Sequence, residues 1–261
     1  ILSHYVEYRS AFEARSKIIN RINDKLFDNY FMFYVDGVIP ISDYLVENIR
    51  SKSKNLPLIK IPPIVDFKLF SEKKMNNPPE YFLYVGSTGY IKAIEIIIES
   101  FELIQDCNYC LQLVLHGNLE NVKKIVNLSP KKNNIQIKSN LDFKDLAHLY
   151  INARALLIPL TNSIQDRARF PQKISEYSAS KSPIITTCFG EITNYFKDNV
   201  NAFIATDFNA DAIALKMISV IEKPVFAKKV GVAGYNTGLK YFNRDSYKDA
   251  LYKYVLNLVN N

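Results

Sequence analysis

The sequence has no run of about 18 apolar residues, so no segment of it reads as a membrane-spanning helix. It has only three cysteines in 261 residues. So small and odd a number cannot build a disulfide framework, and it suits a reducing compartment. Cys107 and Cys110 form a lone C-x-x-C between a helix and the next strand. A zinc site needs a second ligand pair, and a redox pair sits at the start of a helix that follows a strand, so both are expected to be structural. His4, His116 and His148 offer no pair at metal-ligand spacing, and no bound metal is expected. Long blocks of like charge are also missing, which argues against extended disorder. Residues 1–30 are charged and helical in pattern, unlike a signal peptide. The chain starts at Ile1 and reads as a piece of a longer protein. Neither G-x-G-x-x-G nor G-x-x-x-x-G-K-S/T occurs, which disfavours a nicotinamide-dependent Rossmann enzyme and a P-loop.

What is present is a globular composition, 48% hydrophobic, of a length that suggests roughly two domains. The net charge of +7 favours anionic partners. Arg9, Arg15, Lys17, Arg21 and Lys25 share an early helix with Glu7, Glu13, Asp24 and Asp28, and Lys123, Lys124, Lys131 and Lys132 frame a loop. Both groups read as solvated faces. The basic residues do not interleave with aromatics on one face, so nucleic acid is not expected as a partner.

Residues 8–30 have helical spacing, with Phe12, Ile19, Ile22 and Leu26 as the apolar positions. "FYVDGVIPIS" (33–42) reads as a strand, Ser42 as the N-cap of "DYLVENIRSK", and "LPLIKIPPIVD" (56–66) as a buried strand ended by prolines. The polar, proline-bearing stretch 66–80 is the best linker. From Tyr81 a regular alternation begins. Its expected strands are 81–87, 110–117, 134–139, 154–160, 183–187 and 202–206, with helices at 90–104, 118–128, 142–153 and 209–222 and a short one after Phe170. Short apolar strands alternating with helices imply a parallel sheet covered on both faces.

In such a sheet ligands bind beyond the carboxyl ends of the strands. "YVGSTGYIKA" (84–93) offers Gly86 and Gly89 for a tight turn, and Lys92 near a helix start, where phosphate is favoured. An ordinary strand-to-helix turn with a surface lysine fits as well. His116, at the next strand end, is expected to be satisfied locally. "FPQKISEYSASKSPII" (170–185) has Pro171 in the first turn of a helix, Lys173 in that turn with Arg167 and Arg169 before it, and Glu176 a little over one turn on. The free N–H groups and Lys173 suit a phosphate, and a carboxylate can take two hydrogen bonds from a diol such as a ribose. The alternative is a capped helix with Glu176 paired to Lys173 or Lys181.

These residues resemble a known family. "FPQKISEYSASKSPIITTCFGEI" is similar to the segment "sPnKlxEYxaxgkPvI" of GT-B glycosyltransferases related to glycosyltransferase family 4, matching at Pro171, Lys173, Glu176, Tyr177, Lys181, Pro183 and Ile185. "YVGSTGYIKAIEIIIESF" resembles "yvGrlxxxKGxdxlixaf", and "PIVDFKLF" (63–70) resembles the hinge "pngVDxxxF". The resemblance covers nearly everything after residue 30. It implies an α/β fold of GT-B type, a Rossmann-like parallel-sheet domain with an incomplete N-terminal Rossmann-like domain. The implied division is 1–65 (end of the acceptor-side domain), 66–80 (linker), 81–242 (nucleotide-sugar donor domain) and 243–261 (a C-terminal helix crossing back, with Tyr247, Leu251, Tyr254, Val255 and Leu258 facing the first domain).

The roles implied are equally specific. Glu176 holds the donor ribose, Lys92 contacts the diphosphate, N–H groups around Phe170 and Pro171 meet the same phosphates, and the loop from Ser139 to Leu141 holds the base. Gly86 and Ser87 belong to the donor loop, and Lys92, Arg169 and Lys173 are the catalytic candidates. The chain departs from the pattern at three positions: Ala168 where a first glutamate stands, Ser87 where an arginine stands, and Ala93 where a glycine stands. Arg169 or Lys173 can supply the missing charge. The implied activity is transfer of a hexosyl-type sugar from a nucleoside diphosphate sugar to an acceptor hydroxyl, retaining and metal-independent. No cofactor is implied beyond that co-substrate. The acceptor would be a carbohydrate or a lipid-linked one in surface polysaccharide or glycolipid synthesis, with the protein cytoplasmic and peripheral to the membrane face. This chain alone is expected to lack the full active site. A non-catalytic, nucleotide-binding or structural partner of a transferase is the alternative.

Overall fold

The structure is a computed structural model describing residues 1–11, 18–72, 75, 80–105 and 108–260. Two parallel strands, β1 (Leu2–Tyr5) and β2 (Gly37–Pro40), pair with Leu2 opposite Gly37 and Tyr5 opposite Pro40. Helix α1 (Ile18–Tyr30) lies between them in sequence and α2 (Asp43–Lys52) follows. Ser42 caps α2 as its sequence suggests, accepting from the Leu45 N–H at 3.2 Å. Its hydroxyl also donates to the carbonyl of Ala168 at 2.5 Å, tying this first part to the large sheet domain.

The large domain alternates strand and helix: β3 (Tyr81–Ser87), α3 (Ile91–Glu102), β4 (Cys110–His116), α4 (Glu120–Leu128), β5 (Ile135–Lys138), α5 (Phe143–Asn152) and β6 (Ala155–Ile158). It continues through α6 (Ile164–Ala168), α7 (Gln172–Ala179), β7 (Ile184–Thr187), α8 (Ile192–Tyr195) and β8 (Phe203–Ala205), and ends in α9 (Ala210–Glu222), α10 (Pro224–Tyr241) and α11 (Lys248–Val259). The six strands form one sheet in the order β5-β4-β3-β6-β7-β8, every pairing parallel. An apolar run in a strand buried on both faces sends alternate side chains to two cores. β3 does so: Phe82 and Tyr84 join Ile94, Ile97, Ile98 and Phe101 of α3 on one face, while Tyr81, Leu83 and Val85 join Tyr150, Ile174 and Tyr177 on the other. Strand order reverses between β3 and β6, and the crevice beyond their carboxyl ends is where a ligand fits such a sheet.

Helix α11 lies against β2. Tyr254 donates its hydroxyl to the carbonyls of Pro57 (2.9 Å) and Val38 (3.3 Å). A side chain at Gly37 would overlap the Tyr254 hydroxyl and a Leu258 methyl, so glycine is what lets helix and strand meet.

The region before Tyr81 departs most from its pattern. Residues 56–66 form no strand; only Leu58 and Val65 make single bridges, to Val38 and Asn243. Pro57, Pro62 and Pro63 have no N–H to give a ladder. In the stretch 33–42 only Gly37–Pro40 is strand, and Phe31–Phe33 is a 3-10 turn. β1 was not anticipated. In the expected helix 8–30, Arg9–Ala11 is a 3-10 turn and α1 begins at Ile18; Phe12, Glu13, Arg15 and Lys17 lie outside the described residues, as does Cys107. The apolar stripe of α1 faces outward, with Ile19, Ile22 and Leu26 more than half exposed and Asp24 and Asp28 buried. Asp28 turns inward because its carboxylate takes hydrogen bonds from the Tyr5 hydroxyl and the N–H groups of Arg9 and Ser10.

Candidate functional site

The end of β3 stands at the reversal of strand order. Neither Gly86 nor Gly89 takes a positive φ, so the turn does not rest on glycine dihedrals as expected. Hydrogen bonds build it instead. The Gly89 N–H donates to Ser87 Oγ (3.1 Å), the Tyr90 N–H to the Ser87 carbonyl (3.1 Å), and the Thr88 N–H to the His116 carbonyl (3.0 Å). Gly86 serves close approach: a Cβ there would sit 2.6 Å from the Tyr84 hydroxyl. Lys92 follows at the second position of α3, exposed and with no hydrogen-bond or ion-pair partner among the described residues.

A cleft of about 270 Å³ opens beyond β3 and β4. Gly86, Leu115 and His116 line it from the strand ends, Asn140 and Leu141 from the loop after β5, and Lys173 from α7. Asn140 takes a left-handed φ of 56°, which asparagine tolerates. Ser139 directly precedes this wall and is partly buried.

From the other side of the reversal, the stretch after β6 folds into α6 and α7. Asp166, buried at 7% exposure, organises it. One carboxylate oxygen accepts from the N–H and the hydroxyl of Thr161 (2.7 and 2.6 Å). The other accepts from Nε of Arg169 at 2.7 Å and ion-pairs with its Nη2 at the same distance. The Arg169 guanidinium in turn lies 4.0 Å from the ring centroid of Tyr90, the residue just before α3. Asp166 was missed in the sequence, where the only signal was a carboxylate three residues before an arginine. Ala168 is fully buried, and its carbonyl is the one held by Ser42. Phe170 is buried too, stacked on Tyr195 at 5.3 Å and edge-on to Phe242 at 5.6 Å, so it offers only main chain to a ligand.

Pro171 is the N-cap of α7 (φ −61°, ψ 132°), just outside the first turn in which it was expected. No side chain caps α7; the Ile174 N–H donates to the Pro171 carbonyl at 3.0 Å, and the N–H groups of Gln172 and Lys173 have no partner among the described residues. Lys173 Nζ pairs with Glu176 Oε2 at 2.9 Å, the pairing foreseen as the structural alternative, and it also lines the cleft. Glu176 is buried, and the same Oε2 accepts from the Tyr150 hydroxyl at 3.0 Å. Lys181 makes no such pair; its ammonium lies 4.6 Å from the ring centroid of Tyr235. Burial holds the phenols of Tyr84 and Tyr177 well above their ordinary value, the charge of Arg169 opposing it at Tyr84. Both therefore stay neutral beside the site. Tyr177 uses its hydroxyl oxygen to accept from the Val85 N–H at 3.1 Å, anchoring the strand end beside Gly86. Among the described residues no cluster of three or more His, Cys, Asp or Glu side chains is placed to hold a metal, and no helix is long and apolar enough to cross a membrane.

The family described as "Glycosyl transferases group 1" matches residues 66–237. No curated protein matches the chain. Among solved structures, the sucrose-phosphate synthase of Thermosynechococcus elongatus is similar with a TM-score of 0.81 at 18% identity, covering 98% of this chain and 68% of that one. A glycosyltransferase of Rickettsia africae has a TM-score of 0.71 at 19% identity, covering 91% and 67%. HepE of Anabaena, solved with UDP and glucose, has a TM-score of 0.79 at 14% identity, covering 97% and 70%. At these identities the likeness shows the fold alone.

Proposed function

The chain belongs to the group 1 glycosyl transferases, with an α/β fold of GT-B type, and on that footing we propose that its cleft holds the nucleoside diphosphate of a sugar donor. The observation that carries this is the double role of Lys173. It lines the cleft and ion-pairs Glu176, so a cation suited to phosphate and a carboxylate suited to a ribose share one turn of α7. HepE, similar in fold, has been solved with UDP and with UDP-glucose, which supports a nucleotide-sugar donor here.

The difficulty of sugar transfer is the charge that builds on the departing diphosphate. Lys92, Arg169 and Lys173 surround the strand-order reversal, and the N–H groups of Gln172 and Lys173, in the first turn of α7 just after Phe170–Pro171, add to them. Donors fixed in advance where charge develops carry a large share of such catalysis. Arg169 takes the part of the charge that Ser87 does not provide. Gly86 and Ser87 shape the floor, and the loop at Ser139–Leu141 takes the base. These groups carry the charge without a metal or cofactor, and the transfer retains configuration. Residues 1–65 form the end of the acceptor-side domain, 66–80 the linker, 81–242 the donor domain, and 243–261 the helix that returns. The acceptor is a carbohydrate or lipid-linked hydroxyl in surface polysaccharide or glycolipid synthesis. The net charge of +7 supports work in the cytoplasm near an anionic membrane face.

Calorimetric titration of the chain and of its Glu176→Ala variant with UDP, GDP, ADP and NAD tests this. One nucleoside diphosphate should bind the parent and lose most of its affinity in the variant. A folded parent that binds none of them refutes the proposal.

A further inference from the structure

Tyr150 belongs to α5, outside the donor loops, and its side chain is fully buried. Its hydroxyl donates to Glu176 Oε2 at 3.0 Å. That oxygen also takes the Lys173 ammonium at 2.9 Å, whereas Oε1 takes no hydrogen bond among the described residues. The carboxylate is thus divided, one oxygen engaged by the protein and the other free of it. We infer that Tyr150 is the positioning residue for the donor ribose, holding Oε2 of Glu176 so that Oε1 is left to accept a ribose hydroxyl. The inference rests on the proposed role of Glu176.

Of the two groups on Oε2, Tyr150 is the fixed one. Its ring stacks with Phe70 (centroids 6.2 Å apart, planes 14° apart) and meets the edge of Tyr177 at 5.1 Å. Two χ angles locked by packing leave the hydroxyl one place to be. Lys173 is part-exposed on a flexible stem and borders the cleft, where a phosphate competes for its remaining N–H donors. Burial, then the neighbouring Tyr177 and the Glu176 charge, push the Tyr150 phenol far above its ordinary value, so it remains a donor wherever the fold exists. Phe70, in the turn at Phe67–Phe70, backs the ring from the segment leading into the donor domain.

The test compares UDP, GDP and ADP with their 2′-deoxy forms by calorimetry, on the parent, Tyr150→Phe and Phe70→Leu, with a thermal melt of each. The parent should prefer the ribose form about tenfold, the worth of a hydrogen bond to a charged group. Tyr150→Phe should stay folded and bring that ratio close to one, chiefly by weakening the ribose form. Phe70→Leu, which keeps the hydroxyl but loosens the ring, should lower the ratio less, and it decides the matter if Tyr150→Phe does not fold. Folded variants that keep the parental ratio overturn the inference while leaving the donor site standing. A parent that binds the ribose and deoxy forms equally, or binds neither, overturns the ribose role of Glu176 and this inference with it.

Discussion

Arg169 lays its guanidinium on the face of Tyr90, 4.0 Å from the ring centroid, while Asp166 holds its edge, accepting from Nε at 2.7 Å and ion-pairing with Nη2 at the same distance. The contact joins the loop after β3 to the stretch after β6, across the point where strand order reverses. A planar, forked cation satisfies both partners at once, and an ammonium cannot. Arg169→Lys should therefore lower sugar-transfer turnover by about 10²-fold, as for loss of one preorganised donor, and also lower the melting temperature by a few degrees. Lys92→Ala should lower turnover as much with the melting temperature unchanged, because Lys92 is exposed and unpaired. Steady-state kinetics and thermal melts on the same preparations of the full-length enzyme check both. Parental turnover in either variant removes that residue from the mechanism.

The sequence was most informative where period and burial agree. From Tyr81 on, every expected strand is present within a few residues, because continuous apolar runs between helical patterns fit a two-sided parallel sheet and little else. The helix starts that carry Lys92, Lys173 and Glu176 were legible for the same reason, since strand ends fix where the following helices begin. Besides β1, three things were not. Asp166 has its meaning through its partners Thr161 and Arg169, and its i,i+3 spacing to Arg169 does not by itself tell a carboxylate that organises the site from an ordinary surface pair. The inward turn of Asp28 on α1 runs against hydrophobic periodicity, because tertiary hydrogen bonds from Tyr5, Arg9 and Ser10 outweigh the apolar stripe. The stretch 56–66 has strand-like residues, but its prolines deny it a ladder.

Lys60 sits between two carboxylates, 2.6 Å from Asp43 and 3.1 Å from Glu191. Glu191 is buried and also accepts from the Asp43 N–H at 2.5 Å and from the Asn194 amide at 3.2 Å. Burial pulls the Lys60 ammonium down, but the hydrogen bond to Asp43 and the charge of Glu191 outweigh it and hold it above its ordinary value. The cluster joins residues before the linker to α8 and its cap. Lys60→Met leaves two facing carboxylates with no cation, and breaking such a pair by removing one partner costs about 3 kcal/mol. Lys60→Met with Glu191→Leu should recover part of that loss, since no buried charge is then stranded. Urea midpoints for the single and double variants decide it. A double variant no more stable than Lys60→Met would show that the loss is one of packing.

Alkaline pH should unfold this protein through its buried phenols. Burial, joined by Asp28 at Tyr5 and by Tyr177 and Glu176 at Tyr150, raises the folded values of Tyr5, Tyr84, Tyr150 and Tyr177 above the ordinary 10.0, and Tyr247 is pushed up to about 12. Below the unfolded value of about 10 these phenols are protonated in both states, and their contribution to stability is fully present. Above it the unfolded chain releases protons that the folded chain retains, so stability falls as pH rises. Each fully retained phenol contributes a slope of about 1.4 kcal/mol per pH unit. Lys60, also raised, adds a loss of the same sign at the top of that range. Urea midpoints measured between about pH 8 and 11 should be flat on this account up to about 10 and then fall steeply. In Tyr150→Phe the fall should be shallower by roughly one proton. If the variant falls as steeply as the parent, the Tyr150 phenol ionises within the fold, and its hydroxyl is not held against Glu176 as the 3.0 Å contact implies.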